Sequence, residues 1–383
     1  MPAVAEGYRV AFSDWLACAF RGASEAPARA ALEAGEGVSG RVAAAATAGH
    51  VLDYDDTYPP GLAHLSAPTA PAALVLGAEL GASVGDVLDA YAAGFEAIGA
   101  LSRAGHPALY ERGWHPTTVC GPLGAAVAAS RLLGLEQAEQ RSASALALLR
   151  SGGLRSWFGS AGKSLQVGMA AAAGVDAARL AATGVEADLE RVARGPGGFE
   201  DAVGAAFSEP DGRLAIEENW IKAYPCCLQT HGAIEAALAA SGDGVPEAGR
   251  IEVLVHPVSR QAAPIDAPAD GLEAKFSIPY LTAFALLRGR PVVESFASVD
   301  AAIGELGARI SVATDSGLRE SEAVLNLEGK EVARIEAALG SPQRPMDAAA
   351  LGRKRNELAG DALERALDDL DRPAEELLAV VLP

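Results

Sequence analysis

The sequence predicts a mainly α-helical protein with an α/β insertion, and three observations carry that expectation. Alanine dominates a chain that is 50% apolar and only 5% aromatic; it is the strongest helix former and lets helices approach closely. Helical periodicity fills the first half of the chain, whereas period-two alternation is confined to a stretch after about residue 215. A helical pattern returns near the C-terminus. The domains expected are therefore a helical body from residues 1–215 and 343–383, and an α/β unit from 216–342.

Apolar residues recur at helical spacing over 8–22, 39–52, 68–81, 85–103, 119–134, 136–150, 164–182 and 229–240. Short breakers such as "YPPG", "SGG" and "RGPGG" punctuate them. "GRIEVLVHP" (249–257) and "ARISVAT" (308–314) alternate as strands do, and "EAVLNLEGKEVARIEA" (322–337) predicts a hairpin turning at Glu328-Gly329. Pro345 and Asp347 mark the start of the returning helix.

Bulk properties narrow the function. A net charge of −19 over 383 residues argues against nucleic acid and anionic membrane surfaces, both of which need a basic footprint. No apolar run reaches membrane-spanning length, and the N-terminus lacks the basic start and apolar core of a secretory signal. Cys18, Cys120, Cys226 and Cys227 follow no zinc or CxxC spacing, which predicts reduced thiols in a cytoplasmic protein. Five lysines and six histidines stand against 26 arginines. Where the scarce types gather is therefore informative.

They gather in five motifs. "HVLDYDDTYPPGLAHLSAP" (50–68) holds Asp53, Thr57 and His64. Its plain reading is a helix-capping turn, since Asp and Thr favour such positions. A calcium loop fails for want of glycine at its sixth position and glutamate at its twelfth. Asp53-x-Asp55-x-Thr57 also fits a phosphotransfer nucleophile, but an alanine-rich helical run precedes it and no βαβ alternation follows. "YERGWHPTTVCGPLGAAVAAS" (110–130) sets His115 at a Gly-rich helix start whose free N–H groups suit an anion, or else buries a satisfied histidine. "FGSAGKSLQVGMAAAAG" (158–174) puts Lys163 at a helix N-terminus, against the dipole, which suggests an anionic partner unless the lysine simply reaches solvent. "WIKAYPCCLQTHGAIEAAL" (220–238) carries Lys222 and, on a first helical turn that keeps an imidazole neutral, His231. "EAKFSIPYLTAFALLRG" (273–289) carries Lys275 and Tyr280 on an otherwise core-like helix. Each signal alone is weak; together they describe one dispersed site.

The order of these five motifs, spanning roughly residues 10 to 360, resembles the MmgE/PrpD family, which includes 2-methylcitrate dehydratase, cis-aconitate decarboxylase and iminodisuccinate epimerase. The resemblance implies an all-helical large domain built from both chain ends, a smaller α/β lid, a homodimer, and an interdomain active site with no metal and no cofactor. It implies catalytic roles for Asp53, His115, Lys163, His231 and Tyr280 and substrate-binding roles for Thr57 and His64; Lys222 and Lys275 lie within matched motifs and are expected as accessory charges. The sequence departs from the family where Leu65 follows His64 and where Gln166 occupies a position at which histidine is common. The stretch before "AGHVLDYDD" is also shorter than usual. The implied activity is a metal-independent lyase, a dehydratase first, acting on a small di- or tricarboxylate beside a carboxylate. Decarboxylase or epimerase chemistry is the alternative, and a non-catalytic polycarboxylate binder the more distant one. Asp53 and His115 are expected from the body, with His231 and Tyr280 closing from the lid.

Overall fold

The computed structural model describes residues 2–208, 211–241 and 249–382. Its first half is helical: α1 (Pro2–Gly22), α2 (Ala26–Ala34), α3 (Gly37–His50), α4 (Ser66–Glu79), α5 (Val84–Gly105), α6 (Ala108–Glu111), α7 (Pro116–Leu132), α8 (Gln137–Leu148), α9 (Gly162–Ala181), α10 (Leu189–Arg194) and α11 (Phe199–Val203). Then follow α12 (His231–Ala240), β1 (Ile251–Val255), α13 (Pro257–Ala262), α14 (Gly271–Ala274), α15 (Ile278–Arg288), α16 (Ala301–Gly307), β2 (Ile310–Thr314), β3 (Ala323–Leu327) and β4 (Lys330–Ile335). The chain closes with α17 (Ala348–Ala359) and α18 (Ala374–Val381).

Small residues decide how the helices pack. α9 lies against α3, α7 and α8, and α5 against α7. A methyl group on Gly168 of α9 would sit 2.5 Å from the Ala43 carbonyl oxygen of α3. Only glycine permits that approach, and it is the approach that carries the first turn of α9 toward the last turn of α3. Gly94 and Gly124 make the same close crossing between α5 and α7. Glycine costs roughly 1 kcal/mol in a helix interior relative to alanine, so these positions trade helix propensity for interhelical contact.

The sheet is small and mixed, in the order β2-β1-β3-β4. β1 runs parallel to β2 and antiparallel to β3, with Val253 opposite Val312 on one side and Leu325 on the other. β3 and β4 form the expected hairpin. Glu328 and Gly329 both take positive φ, as a two-residue hairpin turn with the strands' own twist requires. α12 and α15 pack together beside the sheet.

Two main hydrophobic cores divide these elements. The larger joins α1, α3, α4, α5 and α7 to Leu358, Leu363, Leu377 and Val381 from the C-terminal end. The second gathers α12, α15 and the inner face of the sheet, and borrows Tyr110 from α6. Among the described residues no helix is long and apolar enough to cross a membrane.

Candidate active site

α3 ends at His50, and the chain then turns sharply. Asp53 takes φ 52°, a left-handed conformation that aspartate tolerates better than most residues. Pro59 and Pro60 bend the chain back through a single 3₁₀ turn, so that His64 lies beside His50 with ring centroids 4.5 Å apart. The His64 backbone N–H donates to the Thr117 hydroxyl at 3.0 Å, tying this loop to the start of α7, which His115 precedes and Pro116 opens. Thr57 and Trp220 exchange backbone hydrogen bonds at 2.9 and 2.8 Å. That pairing brings Lys222, two residues on, under the same turn.

The result is a buried charge cluster. The Asp53 carboxylate accepts from Lys222 Nζ at 2.7 Å and from Lys163 Nζ at 3.0 Å. Lys222 also donates to the Asp53 carbonyl, and Lys163 to His50 Nε2 at 2.8 Å. Both ammonium groups are almost wholly buried, Lys222 at 1% exposure. Asp55, fully buried, accepts from His50 Nδ1 at 2.9 Å, and His64 Nδ1 lies 3.2 Å from the same carboxylate. His50, Asp55 and His64 lie close enough to hold a metal ion, yet they satisfy one another and the Lys163 ammonium abuts His50, so the geometry is accounted for without one.

The electrostatics follow from burial and these pairings. Burial alone would raise Asp53, but the Lys163 and Lys222 charges outweigh it and hold the carboxyl well below its ordinary value. Asp55 is held low against the same burial by its two histidines. Burial drives the histidines down: His64 to about 3, with Asp55 opposing, and His115 well below its ordinary range, aided by Lys163. Lys222, despite burial, is raised by Asp53 and Asp55. At neutral pH the site therefore holds the Lys222 ammonium, two carboxylates and neutral imidazoles. Asp53, pinned as a counter-ion, is a poor base.

A cleft opens over this cluster between the two cores. Asp53, Thr57, His64, His115, Lys163 and Lys222 line it, together with Tyr110, Phe158, Cys227 and Phe276. Phe158 and Phe276 stack at 5.6 Å and form an apolar wall beside Lys163. Six of the nine sequence-predicted residues thus meet in one place, and Lys222, expected as an accessory, is central to it.

Three do not line this cleft. Tyr280 sits within α15, where its hydroxyl accepts the Asp300 backbone N–H at 3.0 Å, beside the start of α16. His231 is buried in the second core against the Tyr224 ring, its nitrogens making no well-formed hydrogen bond, and burial drives it to about 3. Neither residue lines the cleft in this arrangement, Tyr280 on the first turn of α15 and His231 at the start of α12. Lys275 lies on the far side of Asp53 in a smaller cavity, donating to the Leu52 carbonyl. Burial lowers it to about 8.

Sequence reasoning counts His50 among the histidines of the dispersed site without giving it a role and leaves Asp55 out, although both sit in the opening motif. The signal was the crowding of aspartates itself: Asp53 serves the lysines and Asp55 the histidines. Asp56, the third, accepts from Ser66 and Asn219 beneath the turn.

Residues 1–210 match the family model of the MmgE/PrpD N-terminal domain, and residues 224–378 that of the MmgE/PrpD C-terminal domain. Among curated relatives, the chain is similar to the cis-aconitate decarboxylase of Homo sapiens, 30% identical over 271 residues, which is 64% of this chain and 55% of that protein. It is likewise similar to that of Mus musculus, 30% over 271 residues (65% and 54%), and to one of Aspergillus terreus, 27% over 279 residues (65% and 56%). The chain spans about half the length of the curated relatives it matches.

Proposed function

The chain belongs to the MmgE/PrpD family, and on that premise we propose that it is a metal-independent lyase acting on a small di- or tricarboxylate at the carbon beside a carboxylate. One observation carries the reading: two buried ammonium groups share one aspartate at the floor of a cleft lined by two neutral histidines. Such a floor suits the carboxylates of a substrate, because fixed cations in a desolvated site act far more strongly than in water. Neutral imidazoles supply the proton acceptor and donor that carbanion chemistry needs.

Within that class we place decarboxylation of cis-aconitate, the substrate in the curated relatives' names, ahead of dehydration. The Phe158–Phe276 wall supports this order. A carboxylate pressed against an apolar surface loses its hydration, which favours departure as CO₂. The C–C bond breaks, the electron pair stays on the remaining carbon skeleton, and an imidazolium, formed by uptake of a solvent proton as the polyanion binds, delivers that proton to it. Dehydration is the second reading, with a neutral histidine removing the proton beside a carboxylate while hydroxide leaves. The homodimer that the resemblance implies and the cytoplasmic location that the unpaired cysteines suggest belong to the same proposal.

Free space in the cleft as it stands is about 50 Å³, against roughly 150 Å³ for a cavity that takes benzene. Admission of a six-carbon acid therefore requires the two cores to part, which is the movement a lid would make. Proton NMR of the protein with cis-aconitate and with C4–C7 hydroxy acids in D₂O tests the function. Loss of CO₂ with one deuteron incorporated is the expected outcome. Loss of water would move the assignment to dehydration, and no change in any acid would refute the lyase reading.

A further inference from the structure

The hydrogen bonds behind the cleft give its two histidines opposite protonation. Gln166, on α9, has its amide orientation dictated by one backbone unit: its Oε1 accepts the Leu154 N–H at 2.9 Å and its Nε2 donates to the Leu154 carbonyl at 3.2 Å. Turned over, the amide would face donor with donor and acceptor with acceptor. Nε2 is therefore the atom that meets His115 Nδ1 at 3.0 Å, and it can only donate. His115 must then carry its own proton on Nε2.

Asp55 imposes the reverse. Lys163 donates to His50 Nε2, because an ammonium has no lone pair, so the neutral His50 ring carries its proton on Nδ1 and gives it to Asp55. His64 Nδ1 lies 3.2 Å from the same carboxylate and 3.5 Å from the Thr57 hydroxyl; the ionised carboxylate can only accept and is the stronger partner for a proton on that nitrogen. His64 is thus left with a bare Nε2, 3.9 Å from the Asp53 carboxylate and beyond hydrogen-bonding distance of it.

We infer that Asp55 and Gln166 are positioning residues that divide the labour of the cleft, making His64 the group that takes up and returns the mobile proton and His115 a fixed N–H donor. The role rests on the lyase reading; the proton positions do not. A carboxylate behind Nδ1 stabilises the imidazolium that forms when Nε2 gains a proton, the logic of a serine protease's aspartate–histidine pair. An amide N–H behind Nδ1 does the opposite, since it occupies the lone pair that a second proton would need. His115 therefore stays neutral and offers its N–H to a substrate carboxylate or enolate oxygen, without leaving as a proton itself. In the decarboxylation, the C–C bond yields CO₂ and an electron pair, the proton on His64 Nε2 forms the new C–H bond, and His64 returns to its neutral state.

This chain's Gln166 is where the sequence departs from a common histidine, and a histidine there could not be read as a donor from its chemistry alone. With six histidines in the whole chain, side-chain ¹H–¹⁵N NMR of the intact protein can resolve each ring. Assignment would use His64→Gln and His115→Gln. The empty protein is expected to show His64 protonated on Nδ1 and His115 on Nε2. Added tricarballylate, a tricarboxylate with neither a hydroxyl to lose nor an alkene to shift, should protonate His64 fully and leave His115 neutral. Gln166→Glu should move the His115 proton to Nδ1 and slow turnover by about 10²-fold or more. A wild-type His115 protonated on Nδ1, or a His64 protonated on Nε2 alone, would overturn the inference. So would a Gln166→Glu protein whose tautomer moves while its rate holds. Correct tautomers in a protein inert toward every polycarboxylate would uphold the proton placement and refute only the lyase reading.

Discussion

At the level of single residues, the site depends on Asp53 as a shared counter-ion. Its carboxylate, bound by two ammonium groups, is the reason two lysines can be buried side by side. Removing one member of a buried charge group leaves the others uncompensated, typically at about 3–5 kcal/mol. Asp53→Asn should therefore destabilise the protein by that order in urea unfolding while keeping the left-handed backbone, which asparagine also tolerates. Asp53→Ala adds backbone strain and should be worse. If Asp53→Asn unfolds at the wild-type urea midpoint, the lysines are not relying on this carboxylate. Much of this cluster was legible in the sequence, because lysine and histidine are rare in the chain and gather in ordered motifs. Asp55 was not singled out because its role is relational: an aspartate in a turn looks ordinary until the loop folds back on itself.

Secondary-structure elements set the geometry, and the Asp53–Thr57 turn is the clearest case. Asp56 receives the Ser66 N–H at 3.3 Å at the start of α4, the Ser66 hydroxyl at 2.9 Å and the Asn219 amide at 2.8 Å. Burial, reinforced by Asp55, raises its carboxyl to about 7. A carboxyl whose folded value exceeds its unfolded one holds its proton better when folded. Its stabilising contribution is thus complete below about pH 4 and is lost as pH rises toward 7. Asp56→Asn removes that dependence, and the buried Asn219 Oδ1, which lacks a partner, can turn to accept the new amide. The stability of wild type relative to the variant should fall by up to about 4 kcal/mol between pH 4 and 8, from three units at 1.36 kcal/mol each. A constant difference across that range would contradict the assignment. Long helices and the β3–β4 hairpin were legible because their periodicity or turn chemistry repeats locally. α10, α11 and α16 were not, being two turns or fewer and too short to develop a period. Tyr280 and His231 sit on motifs in the expected order, but neither lines the cleft in this arrangement.

For the whole molecule, the arrangement is a seam between two hydrophobic cores, with two lysines and two aspartates paired at its floor and an acidic exterior. The net charge of −19 opposes capture of a polyanion at long range, so on the proposed reading the attraction comes from Lys163 and Lys222. Those charges are balanced by Asp53 and Asp55, so on the same reading the neutral histidines would answer a tricarboxylate by gaining a proton. Calorimetric titration of the protein with tricarballylate, near pH 7 and in two buffers of different ionisation enthalpy, measures this directly. The account predicts binding accompanied by uptake of about one proton, with the uptake abolished in His64→Gln and the binding itself lost in Lys222→Met. Binding with no proton uptake, or binding that survives unchanged in both variants, would contradict it.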